Sequence, residues 1–200
     1  MRIQVLASHD CLGNHPEIIH DAKLIISMGN HRCIHNVEEI LEQGRDKEIM
    51  VLPGPEDEAH IVRMFNEHNV NVDGRIVNVN GINLAGIGGV DPATSIGKLR
   101  KLVEAGSNID ILVSHYPPSQ IDGILLRGSL GIFEIVKISK TRIILFLTEE
   151  DSLMMAGYFE KRQYIIVGLE DYHNWTVIME IEGRNEKGIS IRLKKSRGVS

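Results

Sequence analysis

Arg75-Ile-Val-Asn-Val-Asn-Gly-Ile-Asn-Leu-Ala85 is the stretch on which the fold turns. Two β-rich runs flank Asn80-Gly81, and a type I′ turn needs positive φ at both central residues, which Asn and Gly adopt at least cost. A tight hairpin joins antiparallel strands, so this part of the chain cannot lie inside a uniformly parallel sheet. Before it the pattern is different. Ile3–Ala7, Leu24–Ser27 and Ile49–Leu52 are short and almost continuously apolar, as strands buried on both faces are. Ile109–Ser114 and Ile143–Leu147 repeat that pattern after the hairpin. Helical spacing intervenes: Ile61, Met64 and Phe65 within Glu56–His68, then Ile96, Leu99, Leu102 and Val103 within Ser95–Ala105, with Ser95 the expected cap. His20 also falls in a helical pattern. Tyr164–Val167, Thr176–Ile181 and Gly188–Leu193 read as further strands. Helix-linked strands, a hairpin, then more strands predict two mixed sheets packed together with helices outside, a four-layer α/β (αββα) sandwich. Gly86-Ile-Gly-Gly89 lacks the third glycine of a dinucleotide fingerprint and reads as a tight turn.

Length and composition bound the rest. Two hundred residues that are 42% hydrophobic suit one domain over 1–200, and no linker, repeat or low-complexity stretch divides them. A net charge of −5 supplies no electrostatic case for nucleic acid or an anionic membrane. The basic residues Arg192, Lys194, Lys195 and Arg197 fit a solvated strand end better than a binding arm. No apolar run approaches the ~18–20 residues that span a bilayer, and Met1–Ala7 reads as a strand rather than a signal peptide. Cys11 and Cys33 form no CxxC pair, so free thiols in a reducing cytoplasm are expected. Abundant Ile and sparse Gln lean toward a heat-adapted source.

Five places at strand ends carry a resemblance. They read Asp10-Cys-Leu-Gly-Asn14, Gly29-Asn30, Gly54-Pro-Glu-Asp57, His115-Tyr-Pro-Pro118 and Thr148-Glu-Glu150. In order and spacing they resemble the D-x-H-G-N, G-D, G-N-H-D/E, lone-H and G-H-x-H motifs of small archaeal and bacterial calcineurin-like metallophosphoesterases. Val51-Leu-Pro-Gly54, the central hairpin through Gly89, and Ile111–Pro118 extend the likeness over roughly residues 1–182.

That resemblance implies two divalent cations joined by a bridging carboxylate, which clamp a phosphoryl group and supply a hydroxide nucleophile. Of the seven ligands it implies, Asp10 and His115 stand unchanged. Leu12 replaces a His and offers no lone pair. Asn30 replaces the bridging Asp, Pro55 the ligand Asn, and Thr148 and Glu150 the two last His. Glu56 replaces the acid or phosphate-polarising His, with Asp57 beside it; these two are the candidate catalytic residues. Asp10, Asn30, His115 and Glu150 are the vestigial or altered metal set, and His9, Leu12, Asn14, Pro55 and Thr148 complete the expected cleft.

Two readings follow. One is a pseudo-enzyme with no tightly bound cofactor, acting as a binding or scaffold protein in the manner of the small retromer subunit, which keeps this fold. The other is a phosphoesterase for monoesters or diesters, whose site is rebuilt from Asp10, Glu56, Asp57, Glu149, Glu150 and Asp151 around one Mn²⁺, Mg²⁺ or Ca²⁺. The partner is then an unidentified protein or a phosphate-containing ligand, with no membrane and no strong nucleic-acid signal. His9, His15, His20, His31 and His35 crowd the N-terminal fifth but lack carboxylate or Cys partners at ligand spacing, so they read as surface and cleft histidines. His9 and His15, which flank Asp10, are the ones able to replace lost ligands. Cys11 close to His9 is a poorly supported nucleophile pair, and no G-x-S-x-G elbow is present.

Overall fold

The computed structural model describes residues 1–7, 18–121, 124–148, 153–159, 162–170, 175–185 and 188–197. The chain opens with β1 (Arg2–Ala7), β2 (Leu24–Met28), α1 (Ile34–Gln43), β3 (Glu48–Leu52) and α2 (Ala59–Glu67). The hairpin β4 (Ile76–Val79) and β5 (Ile82–Ile87) leads to α3 (Pro92–Glu104), β6 (Ile111–Ser114) and the short strands β7 (Gln120–Ile121) and β8 (Ile124–Leu125). There follow α4 (Leu130–Ser139), β9 (Ile143–Thr148), β10 (Leu153–Phe159), β11 (Arg162–Glu170), β12 (Trp175–Asn185) and β13 (Gly188–Arg197).

Two mixed sheets result. One runs β13-β12-β1-β2-β3, the other β10-β11-β9-β6-β5-β4. β1, β2 and β3 are parallel, as are β5, β6, β9 and β11, while the hairpin strand β4 and the late strands run antiparallel to their neighbours. Asn80 and Gly81 both take positive φ, +51° and +81°, as the I′ turn requires.

The main core lies between the sheets. Ile3, Val5, Leu24, Ile26 and Met50 from the first meet Leu84, Ile111, Val113, Ile143 and Leu145 from the second. Alternate residues turn outward onto helices: Leu6 and Ile25 pack against Ile40 of α1, and Leu112 against Leu99, Ile132 and Ile135 of α3 and α4. Both faces of these strands are therefore covered, which is why their sequences read as unbroken apolar runs.

Several details differ from the sequence expectations. α3 begins at Pro92, not Ser95, because Asp91 caps it, its carboxylate accepting the Thr94 N–H at 3.1 Å. Proline at the first helical position loses no helical bond, and Ser95 instead donates to the Asp91 carbonyl. His20 lies in a turn, since Ala22 is already bonded back to Ile19. Cys33 is disulfide-bonded rather than free. The only other cysteine in the sequence is Cys11, in the segment between β1 and β2 and outside the described residues.

Candidate functional site

Because β1, β2 and β3 are in parallel register, Ala7, Met28 and Leu52 end at one rim. In the second sheet Ile87 and Ser114 end likewise, with Phe146 opposite Ser114. The loops after these strands hold the described motif residues.

Glycines let the loops meet. A methyl group on Gly29 would lie 2.6 Å from His115 Nδ1, and one on Gly54 2.3 Å from the Asn30 backbone nitrogen. One on Gly89 would lie 2.4 Å from Pro55 Cδ and 2.8 Å from His115 Cδ2. Asn30, Gly54, Pro55, Gly89 and His115 thus form one packed cluster. Thr148, buried, ends β9 beside the strand that carries His115. His9, Asp10, Leu12, Asn14, His15 and Glu149 to Asp151 lie outside the described residues.

Within the cluster, bonds run between loops. Asn30 sits at φ +52°, and its Oδ1 accepts the Glu56 backbone N–H at 3.3 Å. Both oxygens of Asp57 are engaged. Its side chain is 0% exposed, and one oxygen accepts from His31 Nδ1 at 2.9 Å and from the Gly54 N–H at 2.8 Å. Its other oxygen accepts the His31 backbone N–H. With the Nδ1 proton facing Asp57, His31 Nε2 accepts the Ser27 hydroxyl at 2.8 Å. The imidazole is fixed edge-on against Phe65 of α2, 4.8 Å between centroids. Ser27, His31 and Asp57 stand in the order of a hydrolytic triad, but Ser27 is fully buried and meets no substrate. This network ties the β2–α1 loop to the β3–α2 loop. Glu56 remains at the surface, paired with Arg32 at 2.6 Å.

Electrostatics follow from that burial. Desolvation alone would raise the Asp57 carboxyl, but the bonds from His31 and from the Gly54 and His31 backbone outweigh it and hold the group below its usual range. His115 is 5% exposed, and its Nδ1 is buried with no hydrogen-bond partner among the described residues. Burial pushes its pKa down to about 4, against an opposing pull from Asp57, so the ring is neutral at pH 7.

The described half of the rim does not fit a pair of cations. The position of a bridging carboxylate holds an amide already bonded to Glu56, the Pro55 side chain has no lone pair to offer, and both oxygens of Asp57 are engaged by His31 and Gly54. Among the described residues no three His, Cys, Asp or Glu side chains gather in ligand geometry.

The sequence reading identified Asn30, Pro55, Asp57 and His115 but treated His31 as a cleft histidine and passed over Ser27. A signal was there: Ser27 is a polar residue inside an apolar strand, and such residues need a buried partner.

The close loop packing makes a prediction with two signs. Gly54→Ala should destabilise by about 1–3 kcal/mol, since its methyl meets backbone that cannot step aside. Gly97→Ala, in exposed α3 with nothing within 4 Å of the new methyl, should stabilise by about 0.5–1 kcal/mol. Urea midpoints of the two variants check this; equal shifts would refute the packing account.

Two sheets flanked by helices, with loops gathered at the ends of parallel strands, define the metallophosphoesterase-like sandwich, and the chain has that fold. Solved structures agree. TT1561 of Thermus thermophilus superposes with a TM-score of 0.64 at 18% identity, over 89% of this chain and 87% of that one. A putative 5′-nucleotidase from Staphylococcus aureus, solved with α-ketoglutarate, matches with a TM-score of 0.53 at 8% identity; the whole chain spans 55% of that protein. Thermotoga maritima TM1076 matches at 0.50 and 11% identity over 98% of this chain and 99% of that one. No protein-family model matches the sequence, nor does any curated protein.

Proposed function

We propose that this protein keeps the metallophosphoesterase-like fold without the two-metal chemistry and works as a binding or scaffold protein, with one domain over residues 1–200. The observation that carries this reading is the internal satisfaction of the rim. Asn30 bonds the Glu56 backbone and Asp57 bonds His31 and Gly54, so groups that would face a metal or substrate hold loops together instead. Asp57 is then a positioning residue, and Glu56 a surface carboxylate paired with Arg32. The partner is a protein or a phosphate-containing ligand. A cytoplasmic location belongs to the same proposal, and a disulfide at Cys33 is compatible with it in a heat-adapted cell.

A second reading rests on His115. Its neutral imidazole, with Nδ1 unbonded among the described residues, suits one divalent cation held with the acids of the first and last motifs.

Metal analysis of the purified protein, with Mn²⁺-dependent turnover of an aryl phosphodiester, separates the two. The expected result is no stoichiometric metal and no turnover; a bound cation with turnover overturns the scaffold reading. The five-fold revertant Leu12→His, Asn30→Asp, Pro55→Asn, Thr148→His, Glu150→His should bind Mn²⁺ in calorimetry. Its turnover should stay feeble until Glu56→His is added, because general acid–base help is worth ~10²–10⁴-fold.

A further inference from the structure

At the far end of the first sheet from the rim, the helices α1 and α2 leave an open groove of about 620 Å³ over the start of β3. β3 is the last strand of its sheet, and its outer side is bridged at Val51, to Asn71, without a full ladder. Its bonds show which residues face out. Glu48 N–H and the Leu52 carbonyl turn inward, to Lys23 and Gly29 of the β2 side. Val51 turns outward, where its N–H donates to Val70 and its carbonyl accepts from Val72. Strand alternation then turns the N–H and C=O of Ile49 to that same outer side. Among the described residues no backbone bond reaches them, and Ile49 lines the groove. Val70, the first residue of the segment covering Val51, lines it too. The groove therefore continues the track along which residues 70–72 already run beside β3.

Its chemistry selects what can enter. Half-buried Leu41 and Met64 floor it, and exposed Glu38, Glu42 and Glu48 stand on its walls. Arg45 and Lys47 are the opposing charges, the Lys47 amine lying against the His20 carbonyl and Asp46, and Glu38 also meets His35 at 3.2 Å. We infer that this groove binds an extended segment of a partner protein by strand addition to β3, with apolar side chains on Leu41 and Met64 and Lys or Arg against the three glutamates. Main-chain bonds at an open edge give such a segment its hold, and alternating side chains its specificity. The inference stands apart from the rim and does not depend on whether the rim is catalytic.

Fluorescein-labelled heptapeptides of alternating Lys and Val, and of alternating Glu and Val, test it by anisotropy against the full chain. The basic peptide should bind at least tenfold more tightly. Its binding should slow hydrogen exchange of the Ile49 amide. Glu42→Lys combined with Glu48→Lys, both at exposed positions, should reverse the preference. Equal binding of the two peptides overturns the inference. So does binding that leaves Ile49 exchange unchanged, or a preference that survives the double substitution. Concentration-dependent self-association abolished by the same substitutions would replace the partner with a second copy of the chain.

Discussion

Asp57→Ala should cost the fold several kcal/mol, since each buried donor left without an acceptor costs about 1–3 kcal/mol. The size follows from what the carboxylate holds. Three donors end on it, two from His31 and one from Gly54 N–H, and its side chain is 0% exposed. Removing it strands all three where water cannot replace the lost bonds. Asp57→Asn should cost less, because the amide oxygen still accepts while the NH₂ meets a donor where an acceptor is needed. The local consequence distinguishes this from a general loss of packing. The β2–α1 and β3–α2 loops should open first, so amide exchange at His31 and Gly54 should rise further than at core strand positions such as Ile26. Equilibrium urea unfolding gives the energy. A loss under about 1 kcal/mol, the net worth of a single ordinary hydrogen bond, would mean that the network does not hold the rim.

The same residue shows what sequence can and cannot reveal. Strand cores such as Ile3–Ala7 and Ile143–Leu147 were legible because burial on both faces leaves an unbroken apolar signature. Asn80-Gly81 was legible because backbone sterics admit few residues there. α4 was not, because Leu130–Ser139 is apolar on most sides, packs on two neighbours and blurs the helical period. α1 was missed although Val37, Ile40 and Leu41 carry the spacing, its pattern hidden behind the motif at Gly29-Asn30. At the rim, the losses at Asn30 and Pro55 could be read one by one, since ligand chemistry belongs to single residues. That Asp57 faces His31 rather than a substrate is a property of two loops brought together by sheet register, which no single stretch contains.

The second large effect is a loss of stability on mild acidification, governed by His115. In the unfolded chain an imidazole takes up its proton near pH 6.5; in the fold, burial delays this to about 4. Between those values the unfolded state binds more protons, so unfolding is favoured progressively as the pH drops. The stabilisation is fully present above 6.5 and is lost by about pH 4, with a total of about 3 kcal/mol from the size of the shift. Asp57 acts in a separate window. Its carboxyl is held below its ordinary value of 3.8, so its contribution is intact above that pH and fades only as the pH falls further. Among the described residues, His115 is therefore the group whose lowered pKa falls in the interval between pH 6.5 and 4. His115→Gln removes the titrating ring, and urea unfolding followed from about pH 7.5 to 4 should show a flatter profile than the native chain over that interval. Its plateau at neutral pH should be lower, since the glutamine fills less of the space beside Gly29, Gly89 and Tyr116. A variant that keeps the full native slope would place the acid-sensitive group elsewhere and remove the case for a neutral imidazole at the rim.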